Sequence, residues 1–192
     1  RRGARRAARV PRRTAVALNN IANIEAELGN YHKALELHTE ALALRRQTND
    51  PDGEATSLTN LGDAYAKLGE TEKARDHFER ALAILRISEN RYKIIRALRG
   101  LGALSGKTGD HDRGRACLDE ALKISRDIHD HNGEAAVLAD LARLDYDLGD
   151  LPAFSTVENL RTTGTPGLLV CSGSDEVTEL SKRADLVVDG PD

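Results

Sequence analysis

Apolar and small residues recur along this chain at a fixed interval of forty positions. Gly29, Gly69, Gly109 and Gly149 mark the interval, and the columns around them match. Leu18, Leu58, Leu98 and Leu138 form one column, and Ile21, Leu61, Leu101 and Leu141 the next. Ala22, Gly62, Gly102 and Ala142 follow, then Ala34, Ala74 and Gly114, then His38, Phe78 and Leu118, then Ala41, Ala81 and Ala121. Within the second period, Leu58, Leu61, Gly62 and Tyr65 stand at i, i+3, i+4 and i+7, which is one face of a helix. Gly69 ends that helix, because glycine alone takes positive φ without steric cost. A second helix then carries Ala74, Phe78, Ala81, Leu82 and Leu85 on its inner face. Gly62 and Ala74 are small so that the paired helices can close, and bulk there would overpack the contact.

The pattern predicts an all-α chain of helix pairs. Repeats are expected at about 14–53, 54–93, 94–133 and 134–162, the last incomplete, with Leu151, Phe154, Val157 and Leu160 on a short closing helix. Three stacked pairs are about the least that can bury a continuous core. Past Gly164 the pattern changes to strand–helix–strand character over residues 163–192, an α/β-like or partly disordered tail too short for a core of its own.

Composition narrows the picture. Hydrophobic residues make up 40% but aromatics only 3%, with no Trp or Met, so the core must be Leu, Ala and Ile. Residues 1–13 hold seven arginines and no acid, while the net charge of the whole is −3. That segment is expected to be a basic arm, either disordered or the end of a preceding helix. No aromatic interleaves its arginines to stack on bases, so nucleic acid is not expected as a partner. No apolar run approaches the roughly 18–20 residues of a membrane span, and no secretory signal opens the chain. Cys117 and Cys171 lack metal-site or framework spacing. These features point to a cytoplasmic location and to no membrane partner.

Leu58-x-x-Leu61-Gly62-x-x-Tyr65 followed by Ala74-x-x-x-Phe78-x-x-Ala81 resembles the tetratricopeptide repeat (TPR), with Leu replacing the usual Trp. The forty-residue period is similar to arrays of the kinesin-light-chain kind and to those attached to bacterial signalling ATPases and transcription regulators. The resemblance covers about residues 14–150. It departs at Glu25, Ser105 and Asp145, which stand where Tyr65 stands, and at Gly114, which replaces Ala. It implies a helix-turn-helix solenoid, a right-handed superhelix of antiparallel pairs, that scaffolds a protein or peptide ligand and catalyses nothing. First helices would line the concave face. The ligand-facing residues would then be Asn19, Asn20 and Asn23 in the first repeat; Thr56, Thr59, Asn60, Asp63 and Lys67 in the second; Arg96 and Arg99 in the third; and Arg143 in the fourth. Asparagine amides can bond a peptide backbone through donor and acceptor, and arginines can hold a carboxylate. Asn23, Asn60 and Arg96 resemble part of a carboxylate clamp, from which Asn19 and Gly100 depart. The array would belong to a larger bacterial regulatory protein.

The tail string Glu176-Val177-x-x-Leu180-x-x-x-Ala184-Asp185-Leu186-Val187-Val188-Asp189 resembles the end of haloacid-dehalogenase-type sugar phosphatases. It implies the alternative of a repeat region fused to a truncated phosphatase. The Asp-x-Asp-x-Thr nucleophile motif is absent from the sequence, so no phosphatase activity is expected. Gly100 to Gly109 superficially follows a phosphate loop, but Leu101 stands where that motif needs glycine. His129-x-His131 lacks further ligands at metal spacing. No cofactor, metal or small-molecule substrate is expected.

Overall fold

The computed structural model describes residues 2–147, with side chains from Val10 onward. Seven helices follow one another: α1 (Arg2–Glu27), α2 (Tyr31–Gln47), α3 (Pro51–Lys67), α4 (Thr71–Ser88), α5 (Arg91–Lys107), α6 (His111–Asp127) and α7 (His131–Asp147). The expected closing helix near 151–162 and the 163–192 tail lie outside the described residues. The basic segment is not a separate arm. Residues 2–13 are continuous with the first repeat helix, which runs through Pro11 although Pro51, in the same column, opens α3. Alanine and arginine are strong helix formers, and they carry the helix past a proline that removes one backbone bond.

Two left-handed positions per repeat set the turns. Gly29, Gly69 and Gly109 take φ of +83°, +79° and +82° within each pair. Between pairs, Asn49, Glu89 and His129 take φ of 49°, 54° and 56°. Helix ends are closed by bonds from the residue beyond the left-handed one, such as Asp110 N to Ser105 O at 3.0 Å and Asp130 N to Ser125 O at 2.9 Å. The carboxylates of Asp50 and Asp110 and the amide oxygen of Asn90 then accept from the N3 backbone of the next helix. His129 is thus a turn residue, and the stretch resembling a phosphate loop lies mostly within α5.

Each first helix packs on its own second helix, and each second helix packs on the next first helix. Consecutive first helices (α1, α3, α5, α7) also touch one another, whereas the backbones of α2, α4 and α6 do not. An array closer along one side than the other curves, so the first helices form its inner face. The core between the layers holds Leu58, Leu61, Phe78, Leu85, Leu98, Leu101, Leu118 and Leu138, all buried. The Phe78 ring sets the spacing. A Cβ on Gly62 would lie 2.8 Å from Phe78 Cε1, and one on Gly100 would lie 2.5 Å from the same atom. Gly62 therefore closes on the Phe78 ring rather than on Ala74. Gly102 similarly seats Leu118, 2.8 Å from where its Cβ would be.

Gly62→Leu should destabilise the chain by about 1–3 kcal/mol through overpacking. Lys67→Leu, an exposed change five residues on, should stay within about 0.5 kcal/mol. Denaturant melts of the two variants check this; equal effects would mean that the core and inner faces are assigned wrongly.

Candidate functional site

The inner face carries a connected row of polar side chains. Asn60, at the middle of α3, donates from Nδ2 to Asn19 Oδ1 at 2.8 Å and to Asn23 Oδ1 at 3.2 Å, both on α1. Its own Oδ1 accepts from Arg96 on α5 at 2.6 Å. The same guanidinium bonds Asp63 at 3.1 Å. Three successive first helices are thereby tied through one amide. Further along, Arg99 on α5 pairs with Asp140 on α7 at 2.6 Å. The pairs repeat in register: Asn19 with Asn60 and Arg99 with Asp140 occupy the same two columns, two repeats apart. Between them, the intervening pair is Thr59 and Gly100, where the glycine admits Phe78 instead of a polar partner.

Eleven residues were expected to meet a ligand here, and the geometry divides them. Asn19, Asn23, Asn60, Asp63 and Arg96 are joined in one network. Asn19, Thr59 and Asn60 are buried rather than presented to solvent. The reason is packing: adjoining first helices close over them, both amide protons of Asn60 are used internally, and Thr59 Oγ1 donates to Ala55 O at 2.9 Å. Half-buried Thr56 likewise donates to Asp52 O at 2.8 Å. Asn20, Lys67 and Arg143 are exposed, and among the described residues Lys67 and Arg143 have no ion-pair partner. Asp140 was not foreseen, although it shares the column of Asn60.

Behind the row lies a second unforeseen group. His38 on α2 occupies the column of Phe78 and Leu118 and is only 1% exposed. Arg45, in the column of Leu85 and Ser125, is buried and donates to Gly53 O. Burial, and then the positive charges of Arg96 and Arg45, push the His38 pKa from 6.5 down to about 4. On the outer side, a groove of about 270 Å³ runs between α4 and α6 over Leu98 and Leu101. Arg86 and Glu120 bridge it at 3.0 Å, Arg113 pairs with Glu79, and Cys117 lines it with a thiol whose pKa is raised by burial.

The His38 shift has a definite sign. The folded chain excludes a proton that the unfolded chain takes up, so stability is full above pH 6.5 and falls as pH drops towards about 4. The loss should be on the order of 3 kcal/mol. His38→Leu should remove most of this dependence, read from unfolding free energies across that interval. An unchanged acid loss would place the sensitive group elsewhere.

The comparisons with known proteins agree with this architecture. Among curated proteins, none matches the sequence. Among solved structures, BtubC (BKLC) from P. vanneervenii superposes with a TM-score of 0.68 at 20% identity, covering 83% of this chain and 68% of that one. A Podosopora anserina kinesin light chain with nearly identical TPR-like repeats gives 0.65 at 20% identity over 80% and 74%. A Rap protein complexed with competence and sporulation factor gives 0.65 at 18% identity over 76% of this chain and 41% of its own length. No helix among the described residues is long and apolar enough to cross a membrane. A family model described as tetratricopeptide repeat matches residues 13–87 and 93–153, most of the helical array and more than half of the sequence. The chain belongs to the tetratricopeptide repeat family.

Proposed function

We propose that the inner face of this array holds a peptide or a segment of a partner protein, as a cytoplasmic module of a larger bacterial regulatory protein rather than as an enzyme. The observation that carries the reading is the row from Asn23 through Asn60 and Asp63 to Arg96. It fixes the floor of a groove by bonds made within the protein, so little side-chain ordering remains to oppose binding. Lys67 on α3 and Arg143 on α7 are exposed, with their charges unpaired within the described residues. A ligand with carboxylates placed to meet them suits the site, and guanidinium can take a carboxylate through two bonds at once. Thr59, Asn60 and Asn19 serve as support for the groove rather than as contacts. The Rap neighbour, complexed with competence and sporulation factor, offers a precedent for ligand binding by a related architecture.

Selection of peptides from a random display library against the whole chain tests this. Selected binders should be rich in Asp, Glu or a free C-terminus. Lys67→Glu combined with Arg143→Glu should weaken them at least about tenfold, a change of about 1.4 kcal/mol. Lys123→Glu, an exposed change on α6, should leave them unaffected. Binders that ignore the inner pair and respond to Lys123 would move the site to the outer face.

A further inference from the structure

The outer edge of α1 is uncovered by any described residue, and it is apolar. Val10, Ile21, Ile24 and Leu28 are 66%, 48%, 56% and 70% exposed. In the other three repeats the column of Ile21 is sealed: Leu61, Leu101 and Leu141 are all buried, beneath the second helix that precedes each. α1 therefore has two packing faces. Ala15, Asn19 and Ala22 turn inward and are buried, while the opposite side presents Val10, Thr14, Ala17, Ile21, Ile24 and Leu28. The intervals between these six alternate four, three, four, three, four, which is the seam spacing of a two-stranded coiled coil. No other first helix repeats this stripe on an exposed side.

We infer that this edge is the interface between two copies of the chain, paired antiparallel along α1. Charge selects both the occupant and its direction. Every base of the helix lies in its first half, at Arg2, Arg5, Arg6, Arg9, Arg12 and Arg13, and every acid in its second half, at Glu25 and Glu27. Two copies side by side in the same direction would set base against base and acid against acid. Reversed, each basic end meets an acidic end. The apolar register agrees. When Thr14 of one copy faces Ala17 of the other, Val10 faces Ile21, so the smallest residues meet at the two-fold axis and bulkier ones flank it. The contact is isologous and closes on itself, as two-fold pairing requires. It also leaves the inner face of each copy open, so it stands independently of the proposed ligand groove.

Sedimentation equilibrium of the whole chain over the micromolar range tests the pairing. The expected result is a concentration-dependent shift from 20.9 kDa towards twice that mass. Ile21→Glu with Ile24→Glu should hold the chain at the monomer mass with its circular dichroism and thermal midpoint retained, since both positions are exposed in the single copy. Glu27→Lys should weaken the dimer by about fivefold, and added salt should weaken the unsubstituted dimer. A chain that stays monomeric throughout, or a dimer indifferent to the two isoleucines, would overturn the interface. A dimer unchanged by Glu27→Lys would overturn its antiparallel direction.

Discussion

The position of the Phe78 ring is the contact on which the rest of the arrangement depends. It is the only benzene-ring side chain fully buried among the described residues, and two glycines from different repeats make room for it. Gly62 lets α4 close on its own partner α3, and Gly100 lets α5 come up from the following repeat onto the same ring. A solenoid is stabilised within pairs and between neighbours, and one ring here serves both. Because α3 and α5 are drawn together at this point, Arg96 on α5 comes within reach of Asn60 and Asp63 on α3. The polar row on the inner face is thus a consequence of apolar packing on the other side of the same helices.

The three occupants of the Phe78 column grade the array. Leu118 sits over Gly102 in an apolar seat. His38 sits in the first repeat, buried and under the positive charges of Arg96 and Arg45, held neutral at the expense of acid stability. The junction of the first two repeats therefore encloses a titratable ring, where the junction of the last two encloses Leu118. Buried polar groups are costly unless satisfied, which makes the first junction the more conditional of the two. That conditional junction is also the one that supports the proposed groove, and α1, which flanks it, is the helix with a second uncovered face.

Much of this was legible in the sequence because the repeat is strict. The forty-residue columns by themselves locate the helix pairs, the Leu seams and the glycine turns. Columns of mixed chemistry were not legible. Asn20, Asn60, Gly100 and Asp140 share one position, and nothing in the sequence says that the middle two lie in a closed seam while Asn20 is exposed. Asn60 is buried for a reason the sequence does not carry: whether a polar side chain faces a ligand or a neighbouring helix depends on how near that helix comes. The left-handed turn position at Glu89 was hidden because glutamate does not favour that conformation. The continuity of α1 through Pro11 was hidden because the repeat register itself argues for a start at that proline.

The most direct test of the account is the sign of one small substitution. Alanine in place of a glycine within a helix normally stabilises it by about 1 kcal/mol. At Gly100 the added methyl would fall 2.5 Å from the Phe78 ring. Gly100→Ala should therefore destabilise the chain in a denaturant melt, and should become neutral or stabilising once Phe78→Leu has shortened the opposing side chain. A double-mutant cycle reads this coupling without reference to either single effect. If Gly100→Ala stabilises the unsubstituted chain and the coupling to Phe78 is near zero, the ring does not set the spacing of the repeats, and the inner row has some other origin.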